Sequence, residues 1–206
     1  MANLGWCAES NVAPVAASRT NFLARFCFAL FASLTGFSSV PSSAAIAANT
    51  DQEYLIKAAF VLNFASLIEW PSESFGDSES PIIICHAGSS ETTSLFETAY
   101  SGRLVESRPI EIRQLSPGES VSGCHIVLIT AERSEQVSEF IAAVAGKSIL
   151  TIGETENFAR EGGVIGFYKD GSKVRFEVNR SAAASAKLHI SSRLLQLARL
   201  ISSENE

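Results

Sequence analysis

The chain predicts an α/β fold: a single domain with a mixed, mostly parallel sheet of about six strands flanked by helices, ending in a C-terminal β-hairpin and helix. Three observations carry this. Its 206 residues suit one compact domain of the usual roughly 100–200 residues. Short apolar runs of strand length alternate with helical ones through the middle of the chain. Near the end, two β-rich runs flank Asp170-Gly171, a dipeptide that accepts positive φ in a tight hairpin turn.

The first element is a helix over 51–68, with Asp51 as cap, Glu53 at the positive end and Pro71 forcing a stop. Leu55, Ala58, Ala59, Leu62 and Ala65 form one apolar stripe; Ile56, Phe60, Phe64 and Leu67 form a second. A helix apolar over so much of its circumference is either covered on more than one side by its own domain or offers a surface to a partner. Pro81-Ile-Ile-Ile-Cys-His86 has the unbroken apolar character of a central parallel strand, and 91–100 is helical. Residues 109–115 alternate with period two, as a half-exposed strand does, before Pro117-Gly118. Cys124-His-Ile-Val-Leu-Ile-Thr130 is the most apolar strand; a helix over 133–145 follows, ending at Gly146, then a short strand at 148–152. In the second hairpin strand Val174, Phe176 and Val178 point one way, and Arg175, Glu177 and Asn179 the other, as a wet sheet face or a recognition row. A last helix is expected over 181–201.

Composition excludes several classes. Apolar residues at 46% against 18% charged rule out whole-chain disorder. A net charge of −6 and a pI near 5.2 argue against general nucleic-acid binding and against a polybasic membrane surface. Residues 1–47 read as a secretory signal peptide: Arg19 and Arg25 precede an apolar run at 26–37, and Ala45-Ile46-Ala47 supplies a small-residue cleavage site. The run is too short for a membrane span, which needs about 20 apolar residues. The expected mature domain is 48–206, in the periplasm, with Cys85 and Cys124 as its remaining cysteines.

Enzyme and metal readings find little purchase. Cys85-His86 and Cys124-His125 repeat a dipeptide that could supply thiolates and imidazoles to zinc or copper, but neighbours in a strand face opposite sides, so each offers one ligand to a shared ion. No G-x-S-x-G, H-E-x-x-H, C-x-x-C-H or phosphate-binding loop occurs, and Gly162-Gly163 lacks the surrounding glycines of a dinucleotide site. His86, His125 and His189 read as hydrogen-bonded structural residues, and no catalytic residue, metal or cofactor is expected. If their strands are adjacent and parallel, Cys85 at the end of one and Cys124 at the start of the other lie too far apart to bridge without an offset, so a disulfide and two buried thiols both stay open.

The order of these pieces resembles the YfiR family of bacterial periplasmic regulators. Glu53 to Pro71 is similar to that family's E-Y-x-x-K-A-A-F-x-x-N-F-x-x-x-x-x-W-P opening. Cys124-His125, Ile149-Leu-Thr-Ile152 with Phe158, Gly162-Gly163, Val174-Arg-Phe-Glu-Val-Asn179 and Ile190 to Ala198 then follow in register. The resemblance spans residues 51–201.

That resemblance implies a mixed sheet flanked by helices, frequent dimerisation and no known catalysis. It also implies a partner, the periplasmic part of an inner-membrane diguanylate cyclase, which such proteins repress to lower cyclic-di-GMP and biofilm formation, with an outer-membrane lipoprotein as antagonist. It favours a Cys85–Cys124 disulfide. Members can carry a second cysteine pair, where this chain has Ala159 and Gly166. Within the matching R-F-E-V-N stretch, the row Arg175, Glu177 and Asn179 is the candidate partner-binding site, with Glu177 at its centre. The alternative function is a periplasmic small-molecule binding protein, using a cleft at the strand carboxyl ends.

Overall fold

A computed structural model describes residues 43–201, so most of the expected signal segment, with Cys7 and Cys27, lies outside the described residues. Helix α1 runs over Ser43–Leu67, eight residues earlier than Asp51. No glycine or proline interrupts it, and it gives way to a short strand β1 (Ile68–Glu69) ahead of Pro71. Its two apolar stripes converge. Ala58, Val61, Phe64 and Ala65 are buried against the domain, Phe60, Leu62 and Leu67 are half-buried, and Leu55, Ile56 and Ala59 stay exposed.

The main sheet has eight strands in the order β10-β8-β7-β6-β5-β2-β4-β3. Its elements are β2 (Ile82–Ala87), α2 (Ser90–Tyr100), β3 (Leu104–Val105), β4 (Arg108–Gln114), β5 (Ile126–Ile129), α3 (Val137–Val144), β6 (Leu150–Gly153), β7 (Ile165–Asp170) and β8 (Lys173–Asn179). The run from β4 through β2, β5 and β6 to β7 is parallel, β3 and β8 are antiparallel, and β10 (Arg199–Ile201) lies parallel to β8. The mixed, mostly parallel sheet is as expected, and the extra strands are the short β3 and β10. From β2 the chain steps out to β4 and then returns past it to β5, so the strand order reverses between β2 and β5.

Both faces are covered, which explains the unbroken apolar runs of β2 and β5. On one face α1 and α2 pack over Ile84, Ile126, Leu128, Ile152, Phe167 and Phe176, with Phe64 at 4.8 Å from Phe176, ring to ring. Tyr100 Oη donates to the Ala58 carbonyl at 3.2 Å and ties α2 to α1. On the other face Phe140, Val127, Ile129 and Phe158 form a second core. Phe158 accounts for two glycines: a Cβ on Gly153 or Gly163 would fall 2.3 or 2.1 Å from its ring. The Gly162-Gly163 pair therefore makes room for an aromatic ring.

The expected helix over 181–201 is not one helix. It divides into α4 (Arg180–Ser185), β9 (His189–Ile190), α5 (Ser192–Leu197) and β10. Lys187 sits at φ 57°, with Leu188 N donating to Ala183 O and Lys187 N to Ala184 O, the paired bonds that close a helix through a left-handed residue. Glycine normally marks that position. Ser191 then caps α5, while β9 pairs antiparallel with β1 and docks the C-terminal segment beneath α1.

Candidate interaction surfaces

The hairpin over Asp170-Gly171 forms, with Gly171 at φ 59°. Its predicted outward row does not stand in water as a unit. Arg175 is exposed, but Glu177 and Asn179 are buried. Strand β10 lies beside that end of β8 and brings Arg199 opposite Glu177, so Arg199 Nε donates to Glu177 Oε2 at 2.9 Å. The same guanidinium lies 3.9 Å over the Tyr168 ring, and its bond to Glu177 raises its pKa. Asn179 Nδ2 donates to the Ala159 carbonyl at 2.7 Å, while its Oδ1 accepts from Ala182 N and caps α4. Gly166 lets the Glu177 side chain lie flat on the sheet, since a Cβ there would sit 3.3 Å from Glu177 Cγ. A row that period two marks as polar is thus consumed by the fold, apart from Arg175.

Cys85 and Cys124 are joined by a disulfide, with Cα atoms 5.7 Å apart. Two features of the backbone bring together cysteines that strand ends alone would keep apart. Cys85 lies inside β2 and not at its end, and Cys124 precedes β5, in a turn that Gly123 enters at φ 76° and that curls back over the sheet face. Arg113 Nη2 lies 3.3 and 3.1 Å from the two sulfurs and also donates to the Ser120 and Ser122 carbonyls. With both thiols bonded to each other, neither dipeptide offers a thiolate to a metal.

Two of the histidines, His125 and His86, are structural, each in a different way. His125 Nδ1 accepts from Ile83 N at 3.0 Å, so the ring is neutral and its Nε2–H donates to the Ser74 carbonyl at 2.9 Å. Burial depresses its pKa, and Arg108 adds to that against the opposing bond to Ser74. Phe75 stacks on His125 at 4.4 Å, and Arg108 lies 3.9 Å from the Phe75 ring, so one sandwich pins the 72–80 loop to the sheet. His86 is fully buried, with Nδ1 2.7 Å from Thr93 Oγ1. His189 is exposed on β9.

An ion network around the buried Lys57 and Glu154 was not expected. Lys57, in the middle of α1, meets Glu53 at 2.8 Å and Glu154 at 3.0 Å, and Lys169 on the hairpin meets Glu53 at 2.7 Å. Burial opposes ionisation of Glu53, but hydrogen bonds from Lys169 and Lys57 outweigh it and hold its carboxyl below the usual range. The Glu53-to-Lys57 spacing of one helical turn was visible in the sequence; Glu154, which follows β6 by one residue, carried no signal. These groups line a cavity of about 360 Å³ with Tyr54, Phe167 and Val174.

Beside it, α1 leaves Leu55 and Ile56 exposed at 49% and 43%. Ile56 and the hairpin tip, Lys169, Gly171, Ser172 and Val174, line a further cavity of about 350 Å³. Arg175 borders the same tip, 3.8 Å from Asp170. Among the described residues no group of three metal-ligating side chains occurs, and no helix is long and apolar enough to cross a membrane.

No curated protein matches the chain. Two solved structures are similar to part of the chain. A conserved domain protein from Vibrio cholerae O1 biovar El Tor is 9% identical over 58% of this chain and 54% of that one, with a TM-score of 0.46. The ABC domain in complex with L-Trp from Streptococcus pneumonia is 12% identical over 59% and 55%, with a TM-score of 0.43. The chain thus spans about half the length of each. A family model described as YfiR/HmsC-like matches residues 54–199, from the first helix through the Glu177–Arg199 pair, and the chain belongs to that family.

Proposed function

We propose that this protein is a periplasmic, non-enzymatic regulator that binds the periplasmic part of an inner-membrane diguanylate cyclase and holds it inactive, lowering cyclic-di-GMP. Membership of a regulatory family supports this reading. The observation that carries it to a surface is the exposed Ile56 of α1, which lines a cavity with the hairpin tip, and the exposed Leu55 next to it in the helix. Arg175 is the member of the candidate row that reaches a partner; Glu177 and Asn179 serve by holding β10 and α4 in place. Repression needs a surface that prefers the inactive cyclase, since equal affinity for both states shifts nothing.

Export follows from the leader. The mature chain, recovered by osmotic shock, should have an intact mass that begins near Ala48. Tagged mature protein should retain a diguanylate cyclase from solubilised inner membranes, and Ile56→Asp should abolish that retention while leaving export unchanged. Recovery of the cyclase at equal yield by the variant would move the contact away from this surface. A small-molecule role has the Lys57 cavity in its favour, but its ammonium groups are already engaged by Glu53 and Glu154.

A further inference from the structure

We propose that the C-terminal segment over 180–197 is a peripheral docking surface for an anionic lipid bilayer, whose headgroups meet Arg180, Lys187 and Arg193. The proposal does not depend on which protein the chain regulates. It begins with a segregation of charge that the net −6 of the whole chain conceals. Residues 178–203 hold four of the sixteen basic residues and none of the twenty-two acidic ones, which resume only at Glu204. The whole-chain balance argues against a polybasic surface, but attraction to headgroups acts within about one Debye length, so the local balance decides.

Of these four cations the fold uses one. Arg199 is spent on Glu177 and Tyr168. Arg180, Lys187 and Arg193 are exposed, and among the described residues none of them pairs with a carboxylate. Strand register brings one further carboxylate to the segment, Glu69 of β1, opposite His189.

The two short helices present these cations beside apolar surface. A cavity of about 370 Å³ joins α4 to α5, with Arg180 and His189 as polar lining and Leu188, Ile190 and Leu195 as apolar lining. Ser192 of α5 also lines it, and Arg193 is the next residue. Because Leu194 is buried, the outer face of α5 carries Arg193 and, one turn on, Leu197, which is 67% exposed. Lys187 stands in the left-handed turn between α4 and β9.

Cations around an exposed leucine and an apolar hollow match a bilayer surface. Phosphates attract the guanidinium and ammonium groups, the long basic stems lie along apolar surface, and Leu197 reaches the acyl boundary. A single acidic peptide is read better by a cation that its neighbours fix, as Tyr168 and Glu177 fix Arg199. Among the described residues no ring or carboxylate fixes Arg180, Lys187 or Arg193, which suits a fluid array of headgroups. Each cation near such a surface is worth about fivefold in partitioning, so three give roughly a hundredfold. That strength is reversible attachment and not an anchor.

Flotation of the exported chain with lipid vesicles tests this. The parent should float with vesicles of equal parts phosphatidylglycerol and phosphatidylcholine, stay behind with phosphatidylcholine alone, and be released as salt rises. Arg180→Glu combined with Arg193→Glu should weaken binding about twenty-five-fold or more. Both positions lie in the first turn of their helices, where a carboxylate is favoured, so the thermal midpoint should hold. Arg103→Glu with Lys173→Glu makes the same change in net charge outside the segment and should bind nearly as the parent does. A parent that ignores anionic vesicles at low salt, or a reversed pair at 180 and 193 that binds no worse than the control pair, overturns the proposal. Retention of the parent on immobilised polyglutamate without any binding to vesicles also overturns it, and assigns the surface to an acidic protein.

Discussion

Glu177 and Arg199 form an ion pair across adjacent parallel strands, Nε to Oε2 at 2.9 Å, with the carboxylate buried and the guanidinium stacked on Tyr168. This pair ties β10 to the sheet. Glu177→Gln should therefore cost about 1–2 kcal/mol, since a charge-assisted bond becomes a neutral one. Glu177→Lys should cost more, because it buries an ammonium against Arg199. Thermal unfolding of both variants and of Arg199→Ala checks the ordering. Equal stability of all three with the parent would mean that β10 holds through its backbone alone.

The disulfide closes a loop of 39 residues in sequence separation. Reduction should lower stability by roughly 3–4 kcal/mol on the loop-entropy estimate. Denaturant unfolding with and without reductant measures it, and unreduced protein should resist thiol alkylation even when unfolded.

Lys57 sits between two carboxylates with 7% of its side chain exposed, and Glu154 with 5%. Lys57→Met leaves Glu154 buried without that cation and should cost about 3–5 kcal/mol. Adding Glu154→Gln should recover part of the loss, and the double-mutant cycle reads out the coupling.

Stability should fall with acid through His125. Its pKa is lower folded than unfolded, so the unfolded chain binds the extra proton. Its contribution is fully present above the ordinary value of 6.5 and is lost as pH drops from there toward the depressed folded value. Protonation also turns Nδ1 from acceptor to donor against Ile83 N–H. His125→Gln should flatten the pH dependence of the unfolding midpoint in that window; an unchanged slope would assign it to other groups.

Much of this fold was legible because its signals are local. Unbroken apolar runs marked β2 and β5, and Asp170-Gly171 marked the hairpin. The C-terminal segment was not legible, because Lys187 takes a left-handed conformation in which glycine is the usual sign. Period two sorted the β8 faces correctly, but it cannot say what covers a face. Glu177 and Asn179 are polar because Arg199, Ala159 and α4 meet them, and those partners come from elsewhere in the chain. The cysteine geometry failed for a similar reason: Cys124 belongs to a turn ahead of β5, which strand composition alone extended too far.

The most direct test of the regulatory account is cyclic-di-GMP measured in cells that carry the cognate cyclase, with the chain present, deleted, or replaced by Ile56→Asp. Deletion should raise the nucleotide, and the parent should restore the low level. Ile56→Asp, exported in equal amount and equally stable, should fail to restore it. A deletion that leaves cyclic-di-GMP unchanged would contradict the account, whatever the exposed corner of α1 binds.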